Sequence, residues 1–288
     1  MALIDPPFDS ILAETLKALH GYRDEIVLVG GCASALYRHV PAARSAAGAP
    51  LLTYDIDFAV AASLPRRGEP LSALLLRSGF APSGDGRPTN KYRFAGGGGE
   101  IEFLCPMMGL PRKVKEQYPA LVDLPAEVTA EALEYLDLLL LEPLPVNLRG
   151  VLPLADGEEL AVRIPNPVSY VMQKVLIRSR RAGGERRKKD SYYIYEAALL
   201  FRAPGCLEAW ARGLVGRFPA KWGRDFASQA ALLYGHENAE GIQEAVEIAQ
   251  ANGVRVDAAM VFRTLAPRLA EIQNGLGLKS NKSGSTAG

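Results

Sequence analysis

The sequence predicts an α/β (α+β) chain: a mixed sheet flanked by helices, followed by an all-helical C-terminal region. Three observations predict it. An apolar run, Ile26 to Val29, stops at Gly30-Gly31 and leads into small residues, the pattern of a buried strand, a glycine turn and a helix start. Further short strand-like runs alternate with helical spacings up to about residue 165. From Leu207 to Ile272 every apolar spacing is helical, with breaks at Pro219, Gly235 and Gly253. The expected organisation is therefore a core over residues 1–165, a helical domain over 166–278, and a small, polar, disordered tail over 279–288.

Each element has its own signal. Phe8, Ile11, Leu12, Leu16 and Leu19 lie at helical spacing, ended by Gly21. Ala33 to His39 predicts a short helix after Gly30-Gly31, and Pro41 to Pro50 reads as an insertion. Thr53-Tyr-Asp-Ile-Asp-Phe-Ala-Val60 predicts a strand, and Leu71, Leu74 and Leu75 a helix closed by Gly79-Phe80. Thr89 to Phe94 and Glu100 to Leu104 flank a four-glycine turn, which signals a hairpin. Pro111 to Thr129 is charged and loop-rich, the leucines of 138–141 suggest a buried strand, and Glu159 to Ile164 suggests another. Asn166-Pro167 starts a helix, and Asp190 is expected to cap the next one after a basic loop, Arg178 to Lys189. Pro267 is expected to kink or interrupt the last helix.

Composition narrows the function. The 288 residues are 48% hydrophobic, enough for a sizeable core, and the formal net charge is +1, so a globally basic nucleic-acid binder is not indicated. Cys32, Cys105 and Cys206 are isolated and the three histidines scattered, which argues against a zinc site and suits a reducing compartment. The N-terminus is acidic where a signal peptide would be apolar, and no apolar run reaches the roughly 20 residues of a membrane span. A cytoplasmic protein without a membrane partner is expected.

The chemistry concentrates at Asp55 and Asp57. Two residues apart on a strand, they point to one face while Ile56 and Phe58 point to the other. Like charges held together call for a cation, and Mg²⁺ takes carboxylates together with substrate phosphates. Glu102 lies in Ile-Glu-Phe-Leu, an apolar setting that is costly for a carboxylate without a metal or a partner; Lys91 or Arg93 across the hairpin is the alternative partner. Glu100 shares its face but sits at the strand edge. Gly30-Gly31 at a helix start favours an anion, and Ser34 and Arg38 lie one turn apart behind it.

Gly30-Gly31 followed by Asp55-x-Asp57 resembles the nucleotidyltransferase superfamily that includes DNA polymerase beta. The run of Thr-x-Asp-x-Asp-Phe, Lys-Tyr-Arg-Phe and Ile-Glu-Phe-Leu-x-Pro is similar to a bacterial branch related to AbiEii-type toxin nucleotidyltransferases, over about residues 20–205. The resemblance implies a nucleotidyltransferase-fold sheet in which Asp55, Asp57 and Glu102 are catalytic and hold two Mg²⁺ ions. It implies nucleotide binding by Gly30, Gly31, Ser34, Arg38, Lys174, Lys189 and Asp190, with Lys174 on the triphosphate. The implied reaction moves a nucleoside monophosphate from an NTP to an acceptor, which RNA, a protein or a small molecule would all satisfy. RNA would fit the Arg178–Lys189 basic loop. A second reading is an inactive member of the fold that binds nucleotide or RNA, and a third is an interaction protein whose acids are all salt-bridged.

Overall fold

The computed structural model describes residues 3–46, 48–51, 53–83, 89–97, 99–107, 120–178 and 184–278. The tail from 279, the arginines within 179–183 and part of the charged stretch after Pro111 lie outside the described residues. The chain divides into two compact units, Met1–Pro41 with Gly48–Gln173, and Ala42–Ala47 with Lys174–Gly288.

In the first unit, α1 (Pro6–Ala18) begins where Asp5 accepts the Phe8 amide at 2.9 Å, with prolines in its first turn. Its apolar face is buried through Phe8, Ile11, Leu12 and Leu16. There follow β1 (Ile26–Leu28), α2 (Gly30–Leu36), β2 (Asp55–Val60), α3 (Leu71–Arg77), β3 (Phe80–Pro82), β4 (Lys91–Phe94), β5 (Glu100–Pro106), β6 (Leu121–Leu124), β7 (Val128–Leu133), β8 (Leu144–Asn147) and β9 (Ala161–Ile164). The main sheet runs β1-β2-β5-β4-β3, and the β6-β7 hairpin joins it where β7 pairs with the end of β5. The β2-β5 and β5-β7 pairs are parallel; β1-β2, β3-β4, β4-β5 and β6-β7 are antiparallel. β8 and β9 form a separate antiparallel pair.

Burial follows the alternation. Ile56, Phe58, Ile101 and Phe103 are fully buried, and the register partners Phe58 and Phe103 stack with centroids 5.8 Å apart. This apolar face fixes the register, because a slip of one residue would turn the acids inward.

One expectation of a strand is corrected here. The leucines of 138–141 do not form a strand: Leu136–Leu140 is a 3₁₀ helix that follows a left-handed Tyr135 (φ 61°), and the strand comes later, at β8. A short apolar run has no period that separates buried helix from buried strand. Within the loop-rich stretch to Thr129, β6 and the start of β7 pair. β3 also follows directly on the helix that Gly79-Phe80 was expected only to close.

The chain continues through α4 (Pro167–Ile177), whose start is capped by Asn166 accepting the Val168 amide at 2.9 Å. The second unit holds α5 (Gly184–Leu200), α6 (Cys206–Gly213), α7 (Ala220–Tyr234), α8 (Glu240–Ala251) and α9 (Ala258–Gly275). α9 runs through Pro267 without interruption. Asp257 caps it by accepting the Met260 amide at 2.7 Å. Gly275 lets α9 approach α6: a Cβ there would lie 2.5 Å from the Glu208 carbonyl oxygen. No helix among the described residues is long and apolar enough to cross a membrane.

Candidate functional site

The register of three central strands builds the site. Asp55 pairs with Glu100 and Asp57 with Glu102 across the parallel β2-β5 ladder. Glu100 in turn pairs with Arg93, and Glu102 with Lys91, across β5-β4. Two cross-strand rows result, Asp55-Glu100-Arg93 and Asp57-Glu102-Lys91, each reading acid, acid, base on one face. The row between them, Ile56-Ile101-Tyr92, faces the core.

Gly30 abuts the second row. The Val29 amide donates to the Asp57 carbonyl at 2.8 Å, which continues the β1-β2 pairing and delivers Gly30 beside the Asp57 side chain. Gly30 has φ 66°, and a Cβ there would stand 2.3 Å from Asp57 Oδ2. Both the conformation and the close approach therefore require glycine. Beneath, Cys32 is fully buried and its Sγ donates to the Asp55 carbonyl at 3.4 Å. Burial, and then the charges of Asp57, Asp55 and Asp9, push its thiol well above the usual range.

The glutamates already have partners. Asn90 Nδ2 donates to Glu102 Oε1 at 2.6 Å, and Lys91 Nζ lies 3.6 Å from Glu102 Oε2 and 2.8 Å from Glu100 Oε1. Arg93 is 3.5 Å from Glu100. The pairing of Glu102 with Lys91 that the sequence left open is thus present. Desolvation pulls the Lys91 ammonium down, but the hydrogen bond to Glu100 and the charges of Glu102, Glu100 and Asp55 outweigh it and raise its pKa. Asn90 and the distribution of Lys91 over two acids escaped sequence reasoning. A polar residue directly before a strand that faces an acidic one was the available signal. An open cleft of about 380 Å³ lies at the end of the first row, lined by Tyr54, Asp55, Arg93, Gly99 and Glu100.

The remaining expected residues fall as follows. Gly31 and Ser34 lie in α2, and Ser34 is buried. Arg38 sits on a following 3₁₀ helix, where it donates to the Gly48 carbonyl at 3.0 Å. In the second unit, Lys174 is buried; its Nζ donates to Asp190 Oδ1 at 2.7 Å and lies 5.4 Å from the Tyr193 ring centroid. Asp190 is not a helix cap: α5 starts at Gly184, and Asp190 is buried within it as the partner of Lys174. Glycine at 183–184 suggested a turn, but the Glu-Arg-Arg-Lys-Lys run before Asp190 has good helix propensity and extends the helix backwards.

The expected basic loop is also corrected. Arg178 is buried and holds Glu244 through both terminal nitrogens at 2.5 and 2.9 Å. Lys188 pairs with Glu247 at 2.6 Å and Glu185 at 3.2 Å, and Lys189 is exposed on α5. Part of the stretch is thus helix, and two of its cations are committed to carboxylates of the protein.

A family model described as Nucleotidyltransferase matches residues 10–204. The chain belongs to the nucleotidyltransferase family. The matched span contains both acid rows, Gly30, Lys174 and Asp190. No curated protein and no solved structure matches significantly. Among the described residues, no group of three or more His, Cys, Asp or Glu is gathered so as to hold a metal ion. What this member of the family presents is a carboxylate face, with Asp57 and Glu102 side by side in register and Asp55 on the same face of β2.

Proposed function

We propose that this nucleotidyltransferase moves a nucleoside monophosphate from an NTP to an acceptor hydroxyl, with Mg²⁺ held by Asp55, Asp57 and Glu102. The observation that carries the reading is the Asp57-Glu102 register pair beside Gly30, within the family match. Carboxylate oxygens are the hard ligands Mg²⁺ prefers, and to hold it Glu102 would have to be drawn from Asn90 and Lys91 toward the aspartates, since the three are not gathered around a metal position. Bound there, Mg²⁺ would supply neutralisation of the triphosphate and a lowered pKa for the acceptor hydroxyl.

The chain's own contribution is positioning and charge. Gly30, without a side chain, leaves room for the Asp57 carboxylate beside the start of α2, which sets that acid's place in the site. In this reading Asp55 or Asp57 would take up the proton of the acceptor hydroxyl. Lys174, oriented by Asp190, is the ammonium that the likeness to AbiEii-type relatives assigns to the triphosphate. Incubation with each labelled NTP, Mg²⁺ and cell extract tests the reading. Label should enter one class of macromolecule or small molecule, and Asp57→Asn should prevent it. No transfer from any NTP, or equal transfer by the variant, overturns it.

The hold of Asn90 and Lys91 on Glu102 favours a second reading, binding of nucleotide without turnover. Saturable NTP binding with no labelled product under every condition would select it.

A further inference from the structure

We infer that Tyr54 is a stacking platform for a nucleobase at the mouth of the carboxylate cleft. The inference rests on the nucleotidyl-transfer reading and adds to it the subsite that holds a base. Tyr54 immediately precedes Asp55 and lines the open cleft with Asp55, Arg93, Gly99 and Glu100. It is 49% exposed, whereas Phe8, Tyr22, Tyr37, Phe58, Phe80 and Phe103 of the same unit are 0–1% exposed.

The ring is fixed as well as exposed. Phe8, itself buried, packs against it edge-on, with centroids 5.8 Å apart and planes at 82°. Phe8 is itself set by the first turn of α1, where its amide donates to Asp5 at 2.9 Å. The ring is thus exposed to the cleft and at the same time seated on a buried neighbour. A ring held in this way loses little freedom when a second ring stacks on it.

The charge around the ring points to the class of ligand. Asp55 and Glu100 make the cleft floor unfavourable for an isolated polyphosphate, while Arg93 offers one cation at the same lining. A neutral planar ring joined to a phosphate suits this lining: the ring rests on Tyr54 and itself brings no charge to the acids, and the phosphate is directed to Arg93. That description is a nucleobase, carried by the NTP or by the end of a single-stranded RNA. Aromatic stacking tolerates every base.

Calorimetry on the full chain with Mg²⁺ tests this, with ATP against ribose 5-triphosphate in one arm. The other arm sets a short oligouridylate against its abasic equivalent. The wild type should prefer the base-bearing ligand by about tenfold in one arm. The arm that shows the preference tells whether the base belongs to the donor or to RNA. Tyr54→Ala and Tyr54→Leu should erase it, and Tyr54→Phe should keep it, with melting temperatures confirming that each variant is folded. A preference that survives in Tyr54→Ala and Tyr54→Leu overturns the inference, as does its loss in Tyr54→Phe. If the wild type binds ribose 5-triphosphate as tightly as ATP and shows no preference for bases in RNA, the subsite falls and the transfer reading stands. If it binds no triphosphate at all, both fall.

Discussion

The polar face of the sheet and the polar interior of the helical unit use charge in opposite ways. On β2, β5 and β4, the carboxylates of Asp55, Asp57, Glu100 and Glu102 share a face with the cations of Lys91 and Arg93. The face is partly exposed and its contacts are uneven, from 2.6 to 3.6 Å. In the helical unit, Arg178 and Glu244 meet through two hydrogen bonds, the Ser191 hydroxyl donates to Glu244 at 2.7 Å, and Ser191 and Tyr234 lie 3.1 Å apart. This network joins the end of α4 to α5, α7 and α8 in a buried setting. A buried network of matched charges specifies packing. An exposed face with surplus negative charge is suited to a cationic ligand.

The contrast is broken most severely at Asp57. Asp57→Asn keeps the shape and removes one of the crowded charges, so transfer should fall by at least about a thousandfold, the scale of losing a key electrostatic group. Melting temperature without metal should be unchanged or higher, because neighbouring carboxylates repel. Mg²⁺ should raise the melting temperature of the wild type more than that of the variant. A large loss of stability without metal would instead mark Asp57 as a structural partner.

The helical network should respond through stability instead. Arg178→Met leaves Glu244 buried and uncompensated, and should cost about 3–5 kcal/mol in denaturant unfolding. The double variant Arg178→Met with Glu244→Leu should recover much of that loss. Failure of the double variant to recover would show that the network contributes more than a matched pair.

Gly30 stands between these cases. Gly30→Ala forces a left-handed residue to carry a Cβ that meets the Asp57 carboxylate. It should destabilise by about 1–3 kcal/mol and also reduce transfer by displacing Asp57. Loss of stability with full activity would show that the carboxylate tolerates displacement.

Most of this arrangement was legible because local signals and tertiary structure agreed. The alternation of Asp55, Ile56, Asp57 and Phe58 gave the strand, its two faces and the placement of both acids. Glycine at position 30 gave the turn, although its contact with Asp57 is set by β1-β2 pairing and has no local trace. Where tertiary packing decided, the reading failed. The leucine run became a 3₁₀ helix because its length and composition suit either state. The cap expected at Asp190 became a buried partner of Lys174, since an acid after a basic run looks the same in either role. Arg178 resembled a loop cation because Glu244, its partner, is 66 positions away in the chain.

The smallest expected effect falls on Lys91, which tests the sheet face without touching its acids. Its side chain is 42% exposed, so its pairs with Glu100 and Glu102 are screened and should be worth under about 1 kcal/mol together. Lys91→Met should therefore lower the melting temperature only slightly. The pH dependence has a definite sign. The folded-state pKa lies above the ordinary lysine value of 10.5. The contribution is then fully present below that value and is lost as pH rises through the folded pKa. The difference in stability between wild type and Lys91→Met should accordingly be flat through neutral pH and shrink only in strong alkali. The metal response should move the other way: with the resident ammonium gone, the acids should bind Mg²⁺ more tightly, and the ion should raise the melting temperature of Lys91→Met more than that of the wild type. A large drop in stability, with no gain in the response to Mg²⁺, would mean that Lys91 serves the sheet as Arg178 serves the helices, and the contrast between the two regions would disappear.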